Sequence, residues 1–277
     1  AYNYQVSLKD PGNYAHNAKY HIELLFDSIE SLDEVGVEGL ARNDAGHFDA
    51  TSEAFRHWDG EEDGGIVPGT CSKCHAAGGL PFFLAEGVSV SRPAQNSLSC
   101  TTCHDPSAEF ALYQVAAVPF PSGASLTFGE NDESNLCIEC HQGRESTVSV
   151  DRAIAAAGVG DNVVSEALRF RNPHYFAAGA TLFGTEARGA YEYAGKTYVG
   201  RNMHVEKFDT CAECHDVHAL ELDLEACSTC HEGATPQDYR VVDEGETPVD
   251  YDGDGNVEEG IAGEISTMSE VLYASLQ

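Results

Sequence analysis

The ten cysteines of this chain stand as five pairs of one form: Cys71 and Cys74, Cys100 and Cys103, Cys137 and Cys140, Cys211 and Cys214, and Cys227 and Cys230. Each pair is followed at once by a histidine, and no cysteine is left over. A CxxC pair alone also serves zinc knuckles, disulfides and redox sites. Histidine, however, makes up only 12 of 277 residues, so its appearance after all five pairs by chance has odds on the order of one in several million. The spacing is that of covalent haem c attachment: two thiols must reach the two vinyl groups of one porphyrin while the next imidazole turns under the ring to its iron. On this reading His75, His104, His141, His215 and His231 are the proximal ligands of five haems.

Seven histidines remain: His16, His21, His47, His57, His174, His204 and His218. They suffice to give each iron a second imidazole, and an iron so capped exchanges electrons rather than atoms. The expected distal ligands, in falling order, are His57, His174, His204, His218 and His47. His218 lies three residues after His215, too near to pass round the porphyrin, so it is expected to point to a neighbouring haem. Eleven residues separate His215 from Cys227, which makes the fourth and fifth haems close neighbours. His174 in RNPHY and His204 in RNMHV fall in the long interval between Cys140 and Cys211, read as a segment that delivers distal ligands. His47 and His57 are ten residues apart, about 15 Å if helical, so they suit two adjacent haems and not one. Trp58, the single tryptophan, is placed to pack against a porphyrin edge. For His16 and His21 two readings stay open: both are surface residues, or His16 binds an iron of a neighbouring subunit and His47 is the spare. Arg144, Arg169 and Arg171 are candidates for pairing with haem propionates or for ordinary surface salt bridges.

A second chemistry is written near the end of the chain, in DYDGDGNVEE from Asp250 to Glu259. Asp250, Asp252 and Asp254 alternate and Gly255 sits at the sharp turn, as in a calcium loop, with Asn256 and Glu259 completing the candidate set. Ile261 stands where the twelve-residue loop wants a bidentate glutamate, so Glu258, Glu259 or Glu264 would substitute. The alternative is a solvated acidic turn.

The elements that must position these residues are expected to be mainly irregular and loop-rich, with short α-helices, little β-structure and stacked haems as the core. Residues 1–66 carry no attachment site and supply distal ligands or subunit contacts. Residues 67–232 hold the five-haem core, and residues 233–277 form an acidic calcium-loop-like segment and a closing helix. The pattern predicts a helix from Tyr20 to Leu32 with Ile22, Leu25, Phe26, Ile29 and Leu32 on one face. A shorter one is predicted from Asp49 to Trp58, a hairpin around Ala194 and Gly195, and a last helix from Ile265 to Leu276 with Ile265, Met268, Leu272 and Leu276 inward.

The 46 acidic against 15 basic residues, a formal balance of −31, repel nucleic acid and anionic lipid and favour basic partners, divalent cations or a saline habitat. Simple solubility is the other reading. Haem attachment consumes reduced thiols beyond the cytoplasmic membrane, so an extracytoplasmic place is expected, extracellular or cell-surface in preference to periplasmic. No signal peptide opens the sequence, so Ala1 is expected to follow a cleavage site. No run of eighteen apolar residues argues for a membrane span.

At its five CxxCH sites, over residues 71 to 231, the chain resembles the multihaem c-type cytochromes. Its spare histidines and sparse predicted structure are similar to the extracellular cytochromes of metal-respiring microbes, some of which polymerise into conducting filaments. The resemblance implies a stacked chain of haems with two histidines per iron, serving redox partner proteins or extracellular acceptors, and allows a homopolymer. A rival family, the five-haem cytochrome c nitrite reductases, implies a multihaem reductase with one open iron. There the catalytic iron carries lysine in place of the motif histidine, and this sequence has no CxxCK.

Overall fold

A computed structural model describes residues 2–9, 18–32, 40, 52–60, 64–95, 97–160, 163–205, 208–231, 235–240 and 247–277. Among these, eleven α-helices and four two-stranded ribbons are joined by irregular chain, as expected. The chain forms two compact units, residues 1–212 and 213–277, and the division falls inside the fourth cysteine pair.

In the first unit, α1 (Tyr2–Lys9) and α2 (Ala18–Glu30) precede a four-residue α3 (Glu53–Arg56). Asn3 Nδ2 donates to Ser28 Oγ at 2.9 Å and so ties α1 to α2. The predicted face of α2 is only partly inward: Leu25, Phe26 and Ile29 are half-buried, whereas Ile22 and Leu32 are exposed and His21 is buried. The helix predicted from Asp49 to Trp58 is reduced to α3, and its residues 49–51 lie outside the described residues.

Three short helices then carry the first three motifs: α4 (Gly69–His75), α6 (Cys100–Cys103) and α7 (Ser134–His141). Cysteines three apart on a helical turn share one face, which is what two vinyl groups of one ring require. Helix α5 (Gly79–Glu86) packs between α4 and α6, and its approach to α4 depends on Gly79. A Cβ there would lie 1.7 Å from the carbonyl oxygen of Ser72. The ribbons β1–β2 (Ile66–Val67 with Arg92–Pro93), β3–β4 (His104–Asp105 with Ala111–Leu112) and β5–β6 (Val118–Pro119 with Ser125–Leu126) are antiparallel.

The apolar core of this unit gathers Leu80, Val115, Val118, Phe120, Leu136, Ile138, Ala180, Phe183 and Ala187 around α7. Helix α8 (Thr147–Ala157) follows α7 along the chain, and α9 (Ala178–Leu182) contributes Ala180 to the core. The α9 backbone reaches α7 at Gly179, where a Cβ would meet Ile138 Cγ2 at 2.8 Å. Asn135 is fully buried in the same place. Its Nδ2 donates to the carbonyls of Val115 at 2.8 Å and Gly129 at 2.9 Å, and its Oδ1 accepts from the Phe128 N–H at 2.9 Å. The predicted hairpin at residues 190–200 keeps only its turn at Ala194 and Gly195. The Tyr193 N–H donates to Tyr198 Oη and the Thr185 N–H to the Val199 carbonyl, so the backbone groups that would have joined two strands are engaged elsewhere.

The second unit holds the ribbon β7–β8 (His215–Asp216 with Glu221–Leu222), α10 (Leu224–Cys227), a 3₁₀ turn at Pro236–Asp238 and α11 (Ile261–Leu276). Helix α11 starts four residues earlier than predicted, and the stripe expected inward is exposed: Ile265, Met268, Leu272 and Leu276 all face solvent. Its buried residue is Glu264, 1% exposed, held by Arg240 at 2.5 Å. A charged anchor and not an apolar stripe therefore seats this helix.

Candidate functional site

The motif histidines of the first unit share one arrangement. His75 Nδ1 donates to the Ala54 carbonyl at 2.8 Å, His104 Nδ1 to the Phe110 carbonyl at 2.6 Å and His141 Nδ1 to the Phe176 carbonyl at 2.6 Å. A carbonyl only accepts, so each bond fixes the proton on Nδ1 and leaves the Nε2 lone pair for a metal. Burial, then the nearby Arg144 and His57, push the His75 imidazole below its usual pKa, against the opposing Ala54 bond, and so favour the neutral, ligating form. In the second unit His215 begins β7, and the His231 ring stacks on Tyr239 with centres 4.7 Å apart.

Among the spare histidines, His174 is brought opposite a motif histidine. Its ring centre is 5.9 Å from that of His75, and the planes are nearly perpendicular at 84°. Metal–nitrogen bonds of about 2 Å on either side of an iron place two imidazole centres about 6 Å apart, so the pair is spaced to sandwich one haem. His174 has φ of +80°, a left-handed conformation that a non-glycine residue adopts only when its surroundings enforce it. Its N–H donates to Asn172 Oδ1 at 2.9 Å, and burial followed by Arg144 and His75 lowers its pKa also.

His57 lies in the same region. Its Nδ1 pairs with Glu53 at 2.8 Å, and its ring meets the edge of buried Trp58, whose own ring centre is 5.1 Å from His75. His204 packs edge-on to Phe208, and the His218 N–H donates to Asp216 Oδ1 at 2.8 Å. His16 and His47 lie outside the described residues. Exposed Phe110, Tyr175 and Phe176 flank these histidines, an apolar and aromatic surface that fits the face of a macrocycle.

The attachment segments are fastened to one another. Buried Thr102, between the second pair of cysteines, donates from Oγ1 to the Ala77 carbonyl at 2.7 Å beside the first motif. Lys73, in the first motif, pairs with Glu139, in the third, at 2.8 Å. The Ala212 N–H donates to Ser134 Oγ at 3.1 Å, linking the start of the fourth motif to α7. Arg144 and Arg171, with Arg152, line an open cavity of about 670 Å³ beside the third motif. Arg171 also pairs with Glu145 at 3.7 Å. The residues thus suit haem: paired thiols on short helices, oriented imidazoles, apolar rims and cations for propionates.

The acidic loop is folded on itself in the second unit. Asp250 accepts the N–H of Gly253 and Gly255, Asp252 that of Asp254, Asp254 that of Asn256, and Asn256 that of Glu258. Asp252, Asp254 and Glu259 bring oxygens within 4.8 Å of one another, as do Asp250, Asp252 and Glu264. Asp252 Oδ2 and Glu259 Oε1 are buried without a hydrogen-bond partner. Burial and then repulsion from Asp254, Asp252 and Glu264 raise the Glu259 carboxyl above its usual pKa, while Arg240 holds Glu264 below its own.

The sequence alone passed over Lys73 and Glu139, although they occupy the same place in two motifs, each just before the second cysteine, and carry opposite charges. It also passed over the Phe176 carbonyl, for which there is no signal short of the fold.

No protein-family model matches the chain, and no solved structure matches it. It is similar to two curated C-type polyheme cytochromes of Geobacter sulfurreducens. OmcB is 26% identical over an alignment of 248 residues that covers 67% of this chain and 31% of that protein. OmcC is 26% identical over 300 residues, covering 85% of this chain and 37% of that protein. The chain therefore spans about a third of the length of the curated relatives it matches. It is a relative of multihaem c-type cytochromes, and electron transfer through haem is the chemistry this relationship supports. Among the described residues no helix is long and apolar enough to cross a membrane.

Proposed function

We propose that this chain carries electrons outside the cytoplasm through five c-type haems, each attached at one CxxCH motif and capped by two histidines. Each haem supplies a one-electron couple, and the protein holds the couples at fixed spacing. The observation that carries the reading is the His75 and His174 pair, whose ring centres lie 5.9 Å apart, the separation two imidazoles on one iron would have, the first of them oriented by the Ala54 carbonyl. His174 is accordingly the distal ligand of the first haem. The remaining irons draw on His57, His204, His218 and His47, and Trp58 packs at the edge of the first ring. Arg144 and Arg171 balance propionate charge, which an acidic protein must do to keep its haems reducible. With every iron capped, reductase chemistry has no open position.

The test is a ligand titration. The reduced protein should not bind carbon monoxide, and His174→Ala should bind it at one haem in five, with haem content unchanged. Binding by the unsubstituted protein, or none by the variant, would contradict the assignment.

A filament of such subunits, in which His16 takes the place of His47 and caps an iron of the next copy, is the assembled form we propose. Deleting residues 1–20 should then abolish filaments in electron micrographs while leaving haem content intact; filaments that survive the deletion would rule out the N-terminal link.

The acidic loop is proposed to bind calcium through Asp250, Asp252, Asp254 and Glu259, with Asn256 closing the turn, because two buried carboxylate oxygens there have no other partner. Calcium at a hundredfold excess over its dissociation constant should stabilise the second unit by about 2.7 kcal/mol, and Asp252→Asn should remove the effect. Identical thermal unfolding in calcium and in chelator would count against the site.

A further inference from the structure

We propose that Lys73 and Glu139 are positioning residues that hold the first and third haems as a directly coupled pair, so that electrons pass between groups that are not consecutive along the chain. This rests on the five-haem reading above. Lys73 precedes Cys74 and Glu139 precedes Cys140, so each charge is one residue from a thiol that takes a haem. Their side chains meet at 2.8 Å and are 16% and 5% exposed. The Lys73 ammonium also lies 4.7 Å from the centre of the Phe83 ring, which leaves it little room to swing away from Glu139.

Further contacts join the same two motifs. The segment Pro173–Phe176 serves both sites at once: His174 faces His75 of the first motif, while the Phe176 carbonyl orients His141 of the third. The Pro173 carbonyl accepts the Arg144 N–H at 3.1 Å and seats that segment on the chain just after the third motif. The second motif, although it intervenes in sequence, is fastened to the first by the hydrogen bond from Thr102 to the Ala77 carbonyl. An ion pair fixes direction as well as distance, which apolar contact between α4 and α7 would not do. The exchange it serves moves one electron and no bond or proton, one centre being oxidised as its neighbour is reduced.

The test is electron paramagnetic resonance of the oxidised protein, which reads spin–spin interaction between ferric haems, in Lys73→Met/Glu139→Met. The double replacement keeps volume and leaves no unpaired charge. Intact mass should show five haems in the variant, and its spectrum should lose one interaction present in the unsubstituted protein. In a background lacking the third haem, Cys137→Ala/Cys140→Ala, the same replacement should change nothing. In a background lacking the second, Cys100→Ala/Cys103→Ala, it should act as before. Lys73→Arg/Glu139→Asp, which keeps both charges, should retain the interaction and serves if the neutral variant does not fold. A five-haem Lys73→Met/Glu139→Met protein with an unchanged spectrum would overturn the pair, as would an effect that survives loss of the third haem. Fewer than five haems in the unsubstituted protein would instead overturn the reading on which the pair rests.

Discussion

Glu139→Gln will destabilise the first unit by about 3 kcal/mol, the low end for breaking a buried pair, because it leaves the part-buried Lys73 ammonium, 16% exposed, without a counter-charge. The partners are buried on two different helices, so neither can follow the other to solvent without separating α4 from α7. Burial makes the ion pair itself a poor source of net stability, since its Coulomb energy is largely offset by desolvation. The neutral pair Lys73→Met/Glu139→Met should therefore unfold near the midpoint of the unsubstituted protein. Denaturant titrations of the single and double variants check both expectations. Equal stability of all three would mean that Lys73 reaches water, and that the ion pair contributes neither strain nor register.

Asn135→Ala will cost as much by a different route. Asn135 satisfies the Val115 carbonyl and the Phe128 N–H, shares the Gly129 carbonyl with Thr127 Oγ1 and the Asp132 N–H, and accepts from Thr127 Oγ1 at 3.2 Å. Each backbone group left without a partner in a closed core costs about 1–3 kcal/mol. The loss falls at the start of the third motif, one residue before the hydrophobic contacts of Leu136 with the core. Thermal unfolding followed by circular dichroism in the haem and far-ultraviolet bands should show both signals moving together to lower temperature. A haem band that holds its midpoint would show that the attachment segment is supported by other contacts.

The resemblance to multihaem c-type cytochromes was legible in the sequence because a CxxCH motif is written in contiguous residues: two thiols and an imidazole within five positions leave no room for the fold to intervene. Short helices and loops followed from glycine and proline spread along the chain, and the turn at Ala194 and Gly195 from the pattern EYAGKTYVG around it. What the sequence did not carry was pairing across distance. His174 comes within 5.9 Å of His75 from a φ of +80°, and no local pattern announces that conformation or that approach. Lys73 and Glu139 read as spacers within their motifs until α4 and α7 are packed together. Helix α11 shows the opposite error. Its stripe of Ile265, Met268, Leu272 and Leu276 satisfied the pattern of a buried face, yet Glu264 with Arg240 determines which side is turned in.

The acidic loop lies between these cases. Its alternating carboxylates were plain, but the choice among Glu258, Glu259 and Glu264 depended on how the chain returns into α11. Glu259 and Glu264 share groups with the aspartates, whereas Glu264 is engaged by Arg240 and by the Tyr251 and Asp252 N–H groups. Glu259, with one buried oxygen unclaimed, is therefore the acidic residue free to complete a cation site.

Intact mass spectrometry of the denatured chain, purified from a host that attaches haem c, bears most directly on the central claim. The mass should equal the polypeptide plus five covalently held porphyrins. A colourless protein with the mass of the bare chain, alone or with zinc, would contradict it.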